Sequence, residues 1–236
     1  MRPLAGSFCS VCGEALLSPA FLDRAEPQCG LCQRTNPPFE KAVAYGSYDG
    51  GLRDLIHLLK YQQVRPAAAV LGRMLAEAVA GLETTLPAGV ITVVAVPLHS
   101  RKQAQRGFNQ SELIARAALK QLARPERFQM STDALARRRE TGSQIGLTRH
   151  QRRENLRGAF SVADPERVAE RNILLVDDVF TTGTTASECA RILRRAGAAR
   201  VWVATVGRTL KASDVFAVPE QDLGEGSEER LAAAAG

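Results

Sequence analysis

The chain has 236 residues, 45% of them hydrophobic and 24% charged, with a net charge of +6. Such a composition belongs to a globular protein able to bury a sizeable core. It contains no apolar run of the roughly 18–20 residues needed to cross a bilayer, which excludes membrane insertion as a reading. The positive surplus favours an anionic partner such as nucleic acid, a nucleotide or a phosphorylated metabolite, with an ordinary basic surface as the alternative.

The N-terminal stretch MRPLAGSFCSVCGE has no apolar h-region, so a cytoplasmic protein is expected. Four of the five cysteines, Cys9, Cys12, Cys29 and Cys32, are spaced C-x2-C-x16-C-x2-C. In a reducing compartment that pattern favours metal over disulfides. Two knuckles let four thiolates converge tetrahedrally on zinc, and a closed four-sulfur set holds structure rather than doing chemistry. A pair of redox dithiols is the alternative. Gly13 and Gly30 each follow a knuckle cysteine, where tight backbone is needed. Residues 1–36 therefore read as a metal-stabilised module, because so short a stretch cannot build a core of its own. The run NPPFEK marks its boundary with a domain over 37–212.

Residues 41–48 alternate as a strand does, and Leu52, Leu55, Ile56 and Leu59 recur at helical spacing. Residues 67–83 read as an Ala- and Leu-rich helix. VITVVAV (90–96) reads as a strand buried on both faces. Residues 109–124 form an amphipathic pattern, with Asn109 as cap and Glu112 three residues on. Residues 131–160 are very basic and poor in large apolar groups, so they read as a mobile excursion with short strands at its ends. NILLV (172–176) and VWVATV (201–206) are further strands. Between them lies a helix with Ala186, Cys189, Ala190, Leu193 and Ala196 inward and Gly197 at its stop. Alternating strands and helices indicate an α/β domain with a parallel sheet. Residues 213–236 are small and acidic, with nothing to bury, and disorder is expected there.

The stretch LLVDDVFTTGTT (174–185) concentrates the chemistry. Ligands of open α/β sheets collect at the carboxyl ends of strands, where Asp177 and Asp178 fall. Two adjacent carboxylates need donors or a cation beside them. A ribose diol supplies the first and magnesium the second. Gly183 permits a left-handed turn, and a helix opening at that point turns free amides and its positive end toward the loop. Thr181, Thr182, Thr184 and Thr185 add hydroxyls. One ligand carrying both a diol and a phosphate at that separation is a 5-phosphoribosyl group. No lysine lies in the turn, so this is not a G-x4-G-K-[ST] loop.

VDDVFTTGTT resembles the phosphoribosyl-diphosphate (PRPP) loop of type I phosphoribosyltransferases. Together with the two cysteine knuckles, YDGGLRDLIHLLKY (48–61), VPLHSRKQAQRGFNQ (96–110) and the basic segment 137–160, it is similar to the ComF family of competence-associated proteins over roughly residues 8–210. Ser100 and Ser143 stand where that family more often has proline. The resemblance implies a type I phosphoribosyltransferase fold with a small N-terminal four-cysteine zinc ribbon. It further implies that Asp177 and Asp178 hold the ribose hydroxyls directly or through magnesium, and that 181–185 grip the 5-phosphate. Ser100, Arg101 and Lys102 would face the pyrophosphate, and the basic excursion would be a closing hood, with Arg153 and Asn155 its better candidates. Two classes of function remain. One is phosphoribosyl transfer. The other is a binding module for single-stranded DNA in natural transformation, with PRPP or a nucleotide as regulatory ligand and a helicase-like competence protein as partner. A transcription regulator on the same fold ranks below both, since nothing resembles a helix-turn-helix.

Overall fold

A computed structural model describes residues 7–16, 25–140 and 148–210. The expectations placed on Ser143 and on the tail 213–236 lie outside these residues. The centre is a five-stranded, all-parallel sheet in the order β1 (Ala42–Ser47), β7 (Arg200–Arg208), β6 (Asn172–Phe180), β2 (Ile91–Ala95), β3 (Phe128–Ser131). The continuous aliphatic runs are explained by burial on both faces. Along β6, Ile173 and Leu175 join one core while Leu174 and Val176 join the other, as the period of two requires.

One face is covered by α2 (Gly50–Tyr61), α3 (Ala67–Ala80) and α5 (Gln110–Leu119). In α2 the buried residues Leu52, Ile56 and Leu59 form a single stripe. Helices α3 and α5 approach closely at Gly72, where an added Cβ would lie 2.5 Å from the Cβ of Ala117. The other face carries α7 (Thr184–Arg195), whose Ala186, Cys189, Ala190 and Leu193 are buried. Cys189 is fully enclosed, and burial pushes its thiol well up, as expected of an inert core cysteine. The same core takes in the four N-terminal cysteines, Phe39 and the short antiparallel pair β4 (Leu135–Arg137) and β5 (Phe160–Val162). The cysteine module is thus packed on the sheet, and the Ala42 amide donates to the Val11 carbonyl at 2.7 Å.

Several elements differ from the sequence expectations. The 67–83 helix ends at Ala80, and the 109–124 helix ends at Leu119. Asn109 does cap α5, accepting from the Ser111 amide at 3.1 Å, but Glu112 pairs with Arg116 instead of closing a capping box. Strand β6 continues through both acids to Phe180, so they lie inside the strand rather than past its tip. The basic excursion contains the hairpin strands β4 and β5 and also a helix, α6 (Arg149–Leu156), which starts at a capping box made by Thr148 and Gln151. The short helices α1 (Gly30–Thr35) and α4 (Ser100–Arg106) complete the α-helices among the described residues, with 3-10 turns at Pro125–Arg127 and Pro165–Arg167. No helix of these residues is long and apolar enough to cross a membrane.

Candidate functional site

Two cavities meet at the carboxyl end of β6. The smaller is a cleft of about 240 Å³ lined by Lys60, Pro97, Gln110, Arg137, Asp177, Asp178, Thr181 and Thr185, among others. Asp177 is fixed on one oxygen. Its Oδ1 accepts from the Ser111 hydroxyl at 3.0 Å and from the Asp178 amide at 2.9 Å. Burial, and next the Asp178 carboxylate, push its pKa up to about 7, against the opposing pull of Lys60 and those two hydrogen bonds. Asp178 is 5% exposed and forms an ion pair with Lys60, Nζ to Oδ2 at 2.7 Å. Burial, the largest single influence, lowers the Lys60 ammonium, but the Asp178 contact together with Asp177 and Tyr48 more than offsets it and the net shift is upward. When ionised, the second oxygen of Asp177 is a hard donor of the kind magnesium takes with ligand phosphates, while Asp178 is already matched by a cation. Magnesium fits this donor set on the Asp177 side.

The loop after β6 turns on Gly183, left-handed at φ 72°, and α7 begins at the next residue. A Cβ on Gly183 would meet the Phe180 ring at 2.6 Å, so this position needs glycine twice over. The amides of the first turn of α7 have no intrahelical acceptor and carry the positive end of the helix dipole. The threonines divide across the loop. Thr181 and Thr185 line the acidic cleft. Thr182 and Thr184, whose hydroxyls are 2.8 Å apart, line a larger groove. That groove, about 780 Å³, runs between α6, α7 and the N-terminal module and is edged by Arg153, Arg157, Arg191 and Arg195.

The RGFNQ segment joins the acidic cleft from the side. Asn109 donates to the Val96 carbonyl at 3.0 Å and so ties α5 to the end of β2, Gln110 lines the cleft, and Ser111 orients Asp177. Ser100, Arg101 and Lys102 occupy the exposed first turn of α4 and are not among the cleft-lining residues. Arg101 pairs with Glu140 at 3.4 Å. His99 caps that helix through Nδ1. Of the three consecutive arginines, Arg137 lines the cleft and lies over the Phe160 ring, while Arg138 donates to Ser161 and Arg139 to the carbonyls of Asn155 and Arg157. On α6 it is Arg152 that reaches the loop, donating to the Thr181 hydroxyl at 3.3 Å. Arg153 faces the larger groove, and Asn155 supplies a carbonyl to Arg139. Lys60, Ser111 and Arg152 were not singled out by sequence, because each comes from an element remote from the acids and no local pattern marks it.

The four module cysteines are buried, with their sulfurs all within 4.8 Å of one another. Cys12 and Cys29 Sγ are 3.7 Å apart. A tetrahedron with metal–sulfur bonds of about 2.3 Å has edges of roughly 3.8 Å, so the donor set fits a metal ion such as zinc. Hydrogen bonds from Cys12 and Cys32 hold the Cys9 thiol far below its ordinary range, while contacts with Cys12 and Cys9 drive Cys32 up. Four buried thiolates cannot coexist without a cation between them. Gly13 turns left-handed at φ 70°, but Gly30 simply begins α1 and needs no such freedom. The module is wired to the loop. The Arg208 guanidinium, 2% exposed, donates to the Cys12 carbonyl, pairs with Glu14 and stacks on Phe180 at 4.8 Å. Phe180 in turn packs edge-on against Phe39 and abuts Gly183.

A family described as "Phosphoribosyl transferase domain" matches residues 109–214. The chain is 36% identical over 214 residues to DNA utilization protein YhgH of Escherichia coli (strain K12), covering 86% of this chain and 90% of that one. It is 33% identical over 201 residues to Competence protein F of Haemophilus influenzae, covering 83% and 82%. A solved structure entitled "Structure of the allosteric regulatory enzyme of purine biosynthesis" is 23% identical with a TM-score of 0.37, over 60% of this chain and 26% of the other, so this chain spans about a quarter of that protein. With the parallel sheet, the acid pair and the threonine loop in place and relatives matched over most of their length, the chain belongs to the ComF family of YhgH and Competence protein F, proteins with a type I phosphoribosyltransferase fold.

Proposed function

We propose that the chain binds PRPP with magnesium and serves DNA uptake or utilisation, as the names of its relatives indicate for them. The observation that carries this reading is the juxtaposition of Asp177, held on one oxygen by Ser111, with the threonine loop at the mouth of α7. The ribose diol donates to Asp177 and Asp178. The 5-phosphate rests on the amides and hydroxyls of residues 181–185, with Gly183 allowing the approach. Ser100, Arg101 and Lys102, at the start of α4, would face the pyrophosphate once the ligand arrives. Magnesium, when bound, supplies charge for the departing pyrophosphate. Arg137 in the cleft and Arg152 on α6 add cationic donors from the chain itself, and closure of α6 excludes water. In transfer, the C1–O bond to pyrophosphate breaks and a nucleophile's lone pair forms the new bond at C1. No protein base is assigned, which suits a nucleophile that needs none. Zinc in the four-cysteine module is structural.

A second reading is favoured by the larger groove. Arg153 and Arg195 on its edge suit a phosphate backbone, with Arg157 and Arg191 already paired to Glu154 and Glu188 of the same groove, and the module, α6 and α7 together would then hold single-stranded DNA beside a nucleotide-occupied cleft. A helicase-like competence protein would be the partner, in the cytoplasm. Few aromatic residues are present, 5% of the chain, so stacking contributes little and affinity would fall steeply with salt.

Pyrophosphate release from PRPP and magnesium with a panel of bases separates the two. Turnover abolished by Asp177→Ala supports transfer. PRPP affinity without turnover, with salt-sensitive DNA binding weakened by Arg153→Ala plus Arg157→Ala, supports the second reading. Neither PRPP affinity nor turnover would remove the first.

A further inference from the structure

The acidic pair has a cation of its own. Lys60 comes from the last turn of α2, a helix anchored in the core by Leu52, Ile56 and Leu59. Its side chain is 17% exposed and its ammonium is 2.7 Å from Asp178 Oδ2. A lysine buried this far is held only by a partner, since a desolvated ammonium is costly alone. The adjacent Leu59 is fully buried, so the core holds the turn of α2 that carries Lys60. Magnesium demands oxygens at about 2.0–2.1 Å in near-octahedral array. An ammonium in contact with Asp178 repels a second cation from that carboxylate. Asp177 remains open to the ligand, with both of its hydrogen bonds on Oδ1.

Resting on the phosphoribosyl reading of this cleft, we propose that Lys60 takes the place of a divalent cation at the acid pair, so that ribose 5-phosphate and nucleoside 5′-monophosphates bind without magnesium. The ion is then required only by the diphosphate of PRPP. The cleft thereby distinguishes two ligand classes by metal, a monophosphate class that binds at any magnesium level and a diphosphate class that follows it. Lys60 is a positioning residue here, because it acts on the sugar through Asp178.

The test is calorimetric titration of ribose 5-phosphate into the full chain, in EDTA and in excess magnesium, for the parent, Lys60→Met and Lys60→Arg. The parent should bind equally in both, within about 3-fold. Lys60→Met should bind at least about 10-fold more weakly in EDTA and recover most of the loss with magnesium, the scale of one charged partner removed from a buried pair. Lys60→Arg, which keeps the charge, should stay metal-independent. A parent that needs magnesium for ribose 5-phosphate overturns the proposal, and so does a Lys60→Met protein that melts earlier yet binds equally in EDTA. If Lys60→Met does not fold, the parent and Lys60→Arg decide the matter by the same comparison. A parent that binds ribose 5-phosphate under neither condition fails the phosphoribosyl reading itself, and the role of Lys60 falls with it.

Discussion

Replacing Gly183 by alanine tests the loop with one methyl group. Gly183 is left-handed at φ 72°, a conformation that costs an L-residue roughly 1–2 kcal/mol. The new Cβ would also lie 2.6 Å and 2.9 Å from two carbons of the Phe180 ring. That ring cannot retreat freely, because Arg208 stacks on it at 4.8 Å and Phe39 meets it at 6.3 Å. Overpacking of this kind costs about 1–3 kcal/mol. The sum is about 2–5 kcal/mol, and at about 2–4 °C per kcal/mol for a chain of this size the melting temperature should fall by about 4–20 °C. Ribose 5-phosphate affinity should fall at least about 10-fold as well, since the amides of the loop move with the backbone. Thermal unfolding and calorimetry on the same protein read both effects. A Gly183→Ala protein melting within about 1–2 °C of the parent and binding within about 2-fold would show that neither the left-handed turn nor the Phe180 contact constrains the loop.

Asp177→Asn should stabilise the ligand-free protein in a pH-dependent way. The carboxyl is pushed from its ordinary 3.8 up to about 7, so its contribution to stability is full below about pH 4 and is lost as the pH rises through about 7. The variant should therefore match the parent near pH 4 and exceed it by up to about 4 kcal/mol at pH 8, read by denaturant titration. Chelating the zinc proposed for the four-cysteine module should lower the melting temperature of the whole chain by about 10 °C or more in one cooperative transition, because the cysteines share a core with Phe39, Phe180 and Val203. A separate low-temperature transition with the main one unmoved would contradict that coupling. Gly72→Ala, whose Cβ would collide with Ala117, should cost about 1–3 kcal/mol by denaturant unfolding while leaving ligand affinity within about 2-fold.

The strands β2, β6 and β7 were legible because burial on two faces demands uninterrupted β-branched and aliphatic runs, and β1, at the sheet edge, was legible from its alternation. The acid pair, the threonine turn and the cysteine knuckles were legible because their chemistry is written in adjacent residues. Helix α4 was not, since SRKQAQR is exposed and has no apolar stripe to give it a period. Helix α6 was hidden for a similar reason: Leu156 is its one buried apolar side chain among the described residues, and a capping box starts it. The edge strand β3 is four residues long, too short for alternation to stand out. Lys60 reads locally as a charge at the end of an amphipathic helix, and only the fold brings it across to Asp178, 118 positions later. Arg208 closes a link to Cys12 over an even longer separation, |i−j| of 196. Contacts of that span are set by topology, not by any local pattern.

A phosphoribosyl group is proposed to be held between Asp177 and the loop at Gly183. Titration of PRPP with excess magnesium into the parent and into Asp177→Ala, followed by calorimetry, tests this. A single saturable site in the parent, weakened at least about 10-fold by the substitution, is the predicted result. No heat from the parent, or an unchanged affinity in Asp177→Ala, would contradict it.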